Sequence, residues 1–333
     1  MNAHVRKYNK ILVATDFSPS AETALKQAIW LARQSKATLV LAHTLPDLRK
    51  AVHASSYKAR MDILYGEGDV FHREVREESD AKMRQIIADL GASDLDIRYE
   101  TLLGESSVEL THAVQQEGYD LVIAGTRGLS AWQQFFVGST SSKLIRKCPS
   151  DVWIVKAEHV GIPEVVLSTT DFSDSSRRAV LRGLEIAKLA KAEFHLLHVI
   201  DSMDIPEDLI QKIPQYNSLR GEVNDQATES MEKFIQSLKL DADDVKLVPH
   251  LSWGNPAKEI GRIAVQLKAD LIAIGTVGRG GLKGLFLGNT AESVLAKCDC
   301  SILAVKPEGF VSPVAPASWT LHPGPDDDAS GKK

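Results

Sequence analysis

The chain has 333 residues, 44% of them hydrophobic, and a formal net charge of -5. This length exceeds the usual size of one domain, so two globular domains with sizeable cores are expected. An acidic chain offers no broad positive surface for phosphate backbones or acidic membranes, which argues against nucleic acid as the primary partner.

Compartment and metal content follow from simple features. The amino-terminal stretch MNAHVRKYNK lacks an apolar signal core, and no run of about 18 apolar residues could span a bilayer. The three cysteines, Cys148, Cys298 and Cys300, form an odd and sparse set that suits a reducing compartment. No second ligand pair supports a metal at Cys298 and Cys300. We expect a soluble cytoplasmic protein with no membrane partner and no bound metal site.

The predicted elements alternate between strand and helix in chain order. In the first part, apolar runs predict strands at 11–15, 37–44, 95–102, 120–125 and 151–156. Segments of helical periodicity lie between them, including 21–34 and roughly 67–91. A matching series follows, with strands at 165–169, 192–199, 245–252, 270–275 and 301–306 and a helix at 219–238. The pattern predicts two doubly wound α/β domains, each with a five-stranded parallel sheet covered by helices on both faces.

The two series are copies of each other. The corresponding residues are Asp16 and Asp171, His43 and His198, Gly104 and Gly254, Asp120 and Asp270, and Cys148 and Cys298. A repeat of this length indicates domain duplication rather than a solenoid. We place the first domain at 1–157 and the second at 158–308. The Pro-rich, acidic residues 309–333 are expected to be disordered.

A glycine-spaced loop follows the fourth strand of each copy, as GTRGLSAWQQFFVGSTSSKL (125–144) and GTVGRGGLKGLFLGNTAESVL (275–295). Both contain Gly-x2-Gly-x9-Gly followed by a polar residue. Glycines let a backbone approach a ligand closely, and the start of the next helix favours a phosphate. The alternative is that the loop is only a glycine-rich connection and that Ser139 caps the helix that follows it. The chain contains neither GxxxxGK[ST] nor GxGxxG, so standard NTPase and dehydrogenase sites are not predicted.

These loops, the strand-end sequence TDFS and the strand LLHV together resemble the universal stress protein family over residues 10–307. The tandem form, and the second loop in particular, is similar to the E-type members. The resemblance implies a Rossmann-like fold that binds ATP, with Mg²⁺ held through the phosphates. The strand-end Asp and the second strand would contact adenine, and the loop and hydroxyls would hold ribose and phosphates. The implied first-domain residues are Asp16, Thr44, Ala124, Gly125, Arg127, Gly128, Gly138, Ser139, Thr140 and Ser141.

The second domain departs from this motif. Its corresponding residues are Asp171, Val199, Ile274, Gly275, Val277, Gly278, Gly288, Asn289 and Thr290. Asn289 replaces the expected Ser or Thr, and Ala291 offers no hydroxyl where the first domain has Ser141. Val277 cannot form the guanidinium contacts that Arg127 could offer to phosphate oxygens. Nucleotide binding is therefore expected in the first domain, and the second site is treated as diverged.

Purely structural roles are an alternative to ligand binding for some of these residues. Asp16 and Asp171 could simply orient the turns after their strands, while His43 and His198 are better read as satisfied, partly buried side chains. No catalytic constellation is visible, so we expect a binding protein with at most slow ATP hydrolysis. A carrier of another small molecule and a weak ATPase remain as alternatives. The resemblance also implies an internal pseudo-dimer joined along the last strands, and a further homodimer is left open.

Overall fold

The computed structural model describes residues 7–46, 68–126, 138–157, 161–201, 214–240, 245–278 and 287–317. The first half consists of β1 (Lys10–Thr15), α1 (Pro19–Ser35), β2 (Thr38–Leu45), α2 (Gly68–Asp89), β3 (Ile97–Leu103), α3 (Ser106–Glu117), β4 (Leu121–Gly125), α4 (Ser139–Lys147) and β5 (Asp151–Val155). The second half consists of β6 (Val165–Thr169), α5 (Asp174–Ala190), β7 (Glu193–Ile200), α6 (Pro214–Ser237), β8 (Leu247–Trp253), α7 (Pro256–Leu267), β9 (Leu271–Gly275), α8 (Asn289–Lys297) and β10 (Ser301–Val305). The predicted alternation of strands and helices is confirmed in both halves.

The first helix of each half begins and ends with the same local chemistry. Ser18 caps α1 by accepting a hydrogen bond from Ala21 N at 3.3 Å, and Ser173 caps α5 by accepting from Ser176 N at 3.2 Å. Each helix ends at a lysine, Lys36 or Lys191, in the left-handed conformation. The serines fix where each helix starts after its strand, and the lysines fix where it ends.

All ten strands form one continuous sheet in the order β3-β2-β1-β4-β5-β10-β9-β6-β7-β8. Neighbours within each half are parallel, as predicted. The two halves join through β5 and β10, which pair antiparallel with Trp153 opposite Leu303. Because this pair is antiparallel, the carboxyl ends of the first five strands and of the last five lie at opposite edges of the sheet.

The core forms two layers, one on each face of this sheet. One layer contains buried residues of α1, α2, α5 and α6, and the other contains buried residues of α3, α4, α7 and α8. Each layer includes side chains from both halves, with Trp153 and Leu303 in the first and Ile154 and Ile302 in the second. The duplicated halves therefore share their hydrophobic cores across the β5–β10 pair.

The segment after β10 returns to the first half. His112 Nε2 lies 3.0 Å from the carbonyl oxygen of Ala315, and Gln115 Nε2 donates to the carbonyl of Val314 at 3.0 Å. Residues 309–317, which were expected to be disordered, thus contact α3 without forming a helix or strand. Residues 318–333 of that expected disordered segment lie outside the described residues.

Close packing between α5 and the sheet depends on a glycine. A Cβ on Gly183 would contact Ser168 Oγ and lie 3.0 Å from Ala273 Cβ. By contrast, a Cβ on Gly221, which lies in the middle of helix α6, would point into open space. The two positions separate the packing cost of a methyl group from its effect on helix propensity.

We expect Gly183→Ala to lower the free energy of unfolding by about 1–3 kcal/mol, because the added methyl group overpacks the helix–sheet contact. Gly221→Ala should raise the free energy of unfolding by about 0.5–1 kcal/mol, since alanine favours a helix and nothing obstructs it. Urea denaturation of both variants measures the two changes. Equal effects of the same sign would contradict the packing described for α5.

A second prediction concerns Glu185 of α5, which pairs with Arg182 at 3.3 Å. Burial raises the pKa of Glu185 to about 7, from an ordinary value of 4.5. Between these values the folded chain retains a proton that the unfolded chain has released, so stability falls as pH rises through this window. Glu185→Gln removes this loss, and its stability relative to the parent chain should improve by roughly 1–3 kcal/mol from about pH 4 to about pH 8. Parallel pH profiles in chemical denaturation would contradict the raised pKa.

Candidate functional site

The turn after the first strand of each half has the same strained geometry. Phe17 and Phe172 both adopt a φ of 63°, which is unusual for a non-glycine residue. Asp16 Oδ1 accepts from Ser18 N at 3.1 Å, and Asp171 Oδ1 accepts from Ser173 N at 3.1 Å. The two aspartates therefore do orient the turn, which is one of the two roles that the sequence left open.

The histidines at the second strand hold this turn in place. His43 Nδ1 lies 2.8 Å from the Thr15 carbonyl oxygen, and its ring centroid is 4.4 Å from that of Phe17. His198 repeats this arrangement, at 2.8 Å from the Thr170 carbonyl oxygen and 4.3 Å from Phe172. The expectation that both histidines are satisfied, partly buried side chains is confirmed. Their rings support the strained phenylalanines, a role that the repeated Asp-Phe-Ser sequence could have suggested.

The glycine loops return to the strand that they leave. Gly138 N donates to the Thr126 carbonyl at 2.7 Å, and Gly288 N donates to the Thr276 carbonyl at 2.8 Å. These bonds place the first turn of α4 or α8 directly beside the carboxyl end of β4 or β9. Helix N-termini present backbone N–H groups that lack intrahelical acceptors, so each half aims such groups at its own sheet edge.

The first-domain copy is packed more tightly around its glycines. A Cβ on Gly125 would contact Ser20 Oγ and lie 2.7 Å from the Ser20 carbonyl carbon, and one on Gly138 would lie 2.9 Å from Thr126 O. In the second half, the corresponding distances to a Cβ are 3.3 Å from Gly275 to the carbonyl carbon of Ser175 and 3.5 Å from Gly288 to Thr276 O. Glycine is thus required by local packing at the first-domain positions.

The hydroxyl residues that open α4 have different surroundings. Ser139 is exposed and Thr140 is partly exposed, whereas Ser141 is buried and donates to the Gly125 carbonyl at 2.8 Å. The Ser141 hydroxyl therefore connects the helix start to β4. Its hydrogen is already donated to Gly125 and is not available to a phosphate. Ala291, the corresponding residue of α8, lacks this tie. The absence of a hydroxyl at Ala291 consequently says less about phosphate binding than the sequence suggested.

The second domain contains a cleft of about 390 Å³ at the carboxyl ends of its strands. Every residue predicted for the second site lines it: Asp171, Val199, Ile274, Gly275, Val277, Gly278, Gly288, Asn289 and Thr290. A Cβ on Gly278 would lie 3.1 Å from Asp171 Oδ2, so the loop passes close to the strand-end carboxylate. Duplicated spacing thus identified residues that the fold brings together.

The first-domain site is described in part. Arg127 and Gly128 lie outside the described residues. Thr15 pairs with His43 and Ala14 with Ala124 in the strand register. The register brings the ends of β1, β2 and β4 to one edge, where the remaining predicted residues lie: Asp16, Thr44, Ala124, Gly125, Gly138, Ser139, Thr140 and Ser141.

Other side chains were missed by sequence reasoning. Pro256 and Ile260 line the second-domain cleft from the first turns of α7. The aligned segments LLGESSVEL and LSWGNPAKEI span the end of the third strand of each half and the start of the next helix, so they carried the signal that a helix starts at this edge. In the first domain, Lys82 Nζ of α2 lies 4.2 Å from the centroid of Phe17, which adds a positive charge beside the strand-end turn.

The described part of the chain contains no group of three or more His, Cys, Asp or Glu side chains arranged to hold a metal ion. None of its helices is both long and apolar enough to cross a bilayer.

Two doubly wound domains, each with a helix N-terminus beside the carboxyl ends of its strands, define a duplicated α/β protein. The chain belongs to the universal stress protein family, whose pattern it matches over residues 7–156 and again over 164–306. The two matches establish the tandem form.

Individual members of this family are similar to the chain over most of its length. A universal stress protein E homolog of Haemophilus influenzae is 24% identical over 312 residues, which cover 90% of this chain and 98% of the relative. Universal stress protein E of Photorhabdus laumondii is 24% identical over 326 residues, covering 93% and 98%. A solved universal stress protein structure from Archaeoglobus fulgidus has a TM-score of 0.61 at 20% identity, covering 90% and 99%, which shows the shared fold.

The glycine geometry makes a prediction about stability. Gly138→Ala should lower the free energy of unfolding by about 1–3 kcal/mol, because its Cβ would press on a backbone oxygen that a side-chain rotation cannot move. Gly288→Ala is the matched control, since its Cβ would make an ordinary contact, and we expect a change within about 0.5 kcal/mol. Thermal and urea unfolding compare the two. A Gly288→Ala variant that loses as much stability as Gly138→Ala would contradict the difference in packing.

Proposed function

We propose that this universal stress protein binds ATP or a related adenine nucleotide in its first domain. The observation that carries the proposal is the opening of α4. Gly138 precedes a first turn of Ser139, Thr140, Ser141 and Ser142, which contains no acidic residue. The N–H groups and positive dipole end of such a turn favour the negative charge of a phosphate.

The opposite end of the proposed site suits a nucleoside. Asp16 and Thr44 follow the paired residues Thr15 and His43 on adjacent strands, so they lie side by side at the sheet edge. The Phe17–His43 contact fixes the backbone that carries Asp16. In the proposal, Asp16 and Thr44 contact the base, and Ala124, Gly125, Arg127 and Gly128 run along the ribose and phosphates. Magnesium would enter with the phosphate oxygens, which are the type of ligand it prefers.

The second domain is less suited to phosphate. The first turn of α8 contains Glu292, whose carboxylate forms an ion pair with Arg146 of α4. A carboxylate in this turn opposes a second anion there, even when it is partly neutralised. This charge difference supports nucleotide binding in the first domain with the second site diverged.

A second candidate function rests on the walls of the second-domain cleft. Leu197, Val199, Ile260, Ile274 and Val277 all line it, alongside the polar residues of the loop. An apolar wall with a few polar groups is typical of sites for small organic molecules. A carrier or sensor role for another small molecule in the second domain therefore remains compatible with nucleotide binding in the first.

The nucleotide proposal is tested by placing a negative charge at each helix start. Ser139 is exposed, so Ser139→Glu should fold, and an acidic residue in the first turn stabilises a helix by about 0.3–1 kcal/mol. It should also weaken Mg²⁺–ATP binding at least about ten-fold by repelling the phosphates. Asn289→Glu is the matched control in the second domain and should leave that affinity unchanged. Isothermal titration calorimetry on the full chain measures both.

Two outcomes would overturn the proposal. Unaltered affinity in Ser139→Glu would remove α4 from the site. Loss of affinity only in Asn289→Glu would transfer nucleotide binding to the second domain. Phosphate release followed over hours in the same samples separates binding alone from slow hydrolysis.

A further inference from the structure

The sheet ends at β8, which is the least buried strand of the second half. It pairs with β7 alone, because it is the last strand in the sheet order. All seven of its residues are at least partly exposed, whereas β3, the outermost strand of the first half, contains the buried residue Leu102. Leu247 and Leu251 pack against one core layer from partly buried positions. Segments with so little buried surface are among the first parts of a fold to open locally.

Two histidines on neighbouring strands connect β8 to β7. His195 Nδ1 lies 2.9 Å from His250 Nε2, and the ring centroids are 5.1 Å apart. In the strand register, His195 pairs with Val248 and His250 pairs with Leu197, so the two histidines lie on the same face of the sheet. His195 is buried and His250 is partly exposed. The contact therefore joins the edge strand to a buried side chain of its neighbour.

This contact limits how many protons the pair can hold. A hydrogen bond between two imidazole rings needs an N–H on one nitrogen and a lone pair on the other. The pair can take up one extra proton and keep the bond, with the charge on His195, whose Nε2 lies 3.5 Å from Glu193 Oε2. A second proton would place two N–H groups against each other, so the doubly protonated pair must separate.

The charged groups around the pair offer little compensation for a second positive charge. The Glu193 side chain is 76% exposed. On the same face, α7 packs against β7 and β8, and its Glu259 is already paired with Arg262 and with the Ser252 hydroxyl. The other charged residues of α7 and of the start of β8 are basic, and within the described part of the chain none of them bonds to either ring: Lys246, Lys258 and Lys268.

The proton affinity of His250 agrees with this limit. Burial and then the charge of His195 lower the pKa of His250 below its ordinary value of 6.5. The unfolded strand therefore takes up this proton more readily than the folded strand does. The stabilisation is present above the ordinary value of 6.5 and is lost as pH falls below it.

The first half carries different chemistry at the corresponding positions. By the repeat, Glu100 of β3 corresponds to His250, and the counterpart of His195 is Val40 of β2. Glu100 Oε1 accepts from the Tyr119 hydroxyl at 3.1 Å, and burial raises the pKa of Glu100. A raised carboxyl pKa makes the folded chain keep a proton that the unfolded chain releases, so this edge gains stability as pH falls. The two edges of the sheet thus respond to acid in opposite directions.

We propose that His195 and His250 form an acid-sensitive switch that holds the edge strand β8 against β7 at neutral pH and lets it open in mild acid. The switch acts on the second half alone, because the first half has Glu100 and Val40 at these positions. Opening would uncover the backbone groups of β7 that are paired with β8 in the closed state. The inference does not depend on nucleotide binding in the first domain.

Hydrogen–deuterium exchange of the full chain tests the switch at about pH 7.5 and about pH 5, on either side of the range in which histidine titrates. Peptides are analysed by mass spectrometry and corrected for intrinsic exchange rates. Protection of β8 should fall roughly three- to ten-fold in acid, as expected for the loss of one hydrogen bond, whereas protection of β3 should not fall. The raised pKa of Glu185 makes the whole chain more stable in acid, so a loss confined to β8 cannot come from general acid unfolding.

Variants assign the response to the pair. His250→Gln keeps a hydrogen-bonding side chain that does not titrate, so β8 should be equally protected at both pH values. His195→Gln should remove the response in the same way, and it decides the test if circular dichroism shows that His250→Gln does not fold. His112→Gln changes a partly buried histidine of α3 and is the matched control, which should keep the full response of β8. The proposal is overturned if β8 of the parent chain is equally protected at both pH values, if β3 loses as much protection as β8, or if the glutamine variants of the pair keep the acid response.

Discussion

The antiparallel pairing of β5 with β10 is the constraint on which the rest of the molecule depends. Val152, Trp153 and Ile154 face Ala304, Leu303 and Ile302, and through them two sheets become one sheet of ten strands. The pairing also merges the core layers of the two halves on both faces. Because it is antiparallel, it places the carboxyl strand ends of the two halves at opposite edges of the sheet. It also brings the amino end of β5 beside the carboxyl end of β10, where Lys306 N donates to Asp151 Oδ1 at 2.9 Å.

The two halves have nearly the same backbone structure but different charged side chains. The backbone bonds of the glycine loops and the Phe–His turns recur almost unchanged, whereas the charges around them do not. Glu292 enters the first turn of α8, and no acidic residue enters that of α4. At the junction, Asp151 and Arg182 occupy positions where the other side has Ser301 and Gln27. Duplication has preserved the scaffold and allowed each site to diverge separately.

The sequence predicted what local pattern and repetition control. Apolar runs such as DLVIAG located the strands, and the repeated glycine spacing identified a set of second-domain residues that share one cleft. It could not reveal that the Ser141 hydroxyl bonds to Gly125, because that depends on the turn between them. It also gave no signal that Arg182 would donate to Asp151, since the two residues lie in different halves of the chain.

Nucleotide occupancy per chain tests the central claim of unequal halves most directly. Native mass spectrometry of the full chain in millimolar ATP and magnesium would count bound nucleotides without altering any residue. The account expects a mass increase equal to one nucleotide per chain. Two equivalent nucleotides, or none, would contradict the assignment of phosphate binding to the amino-terminal half.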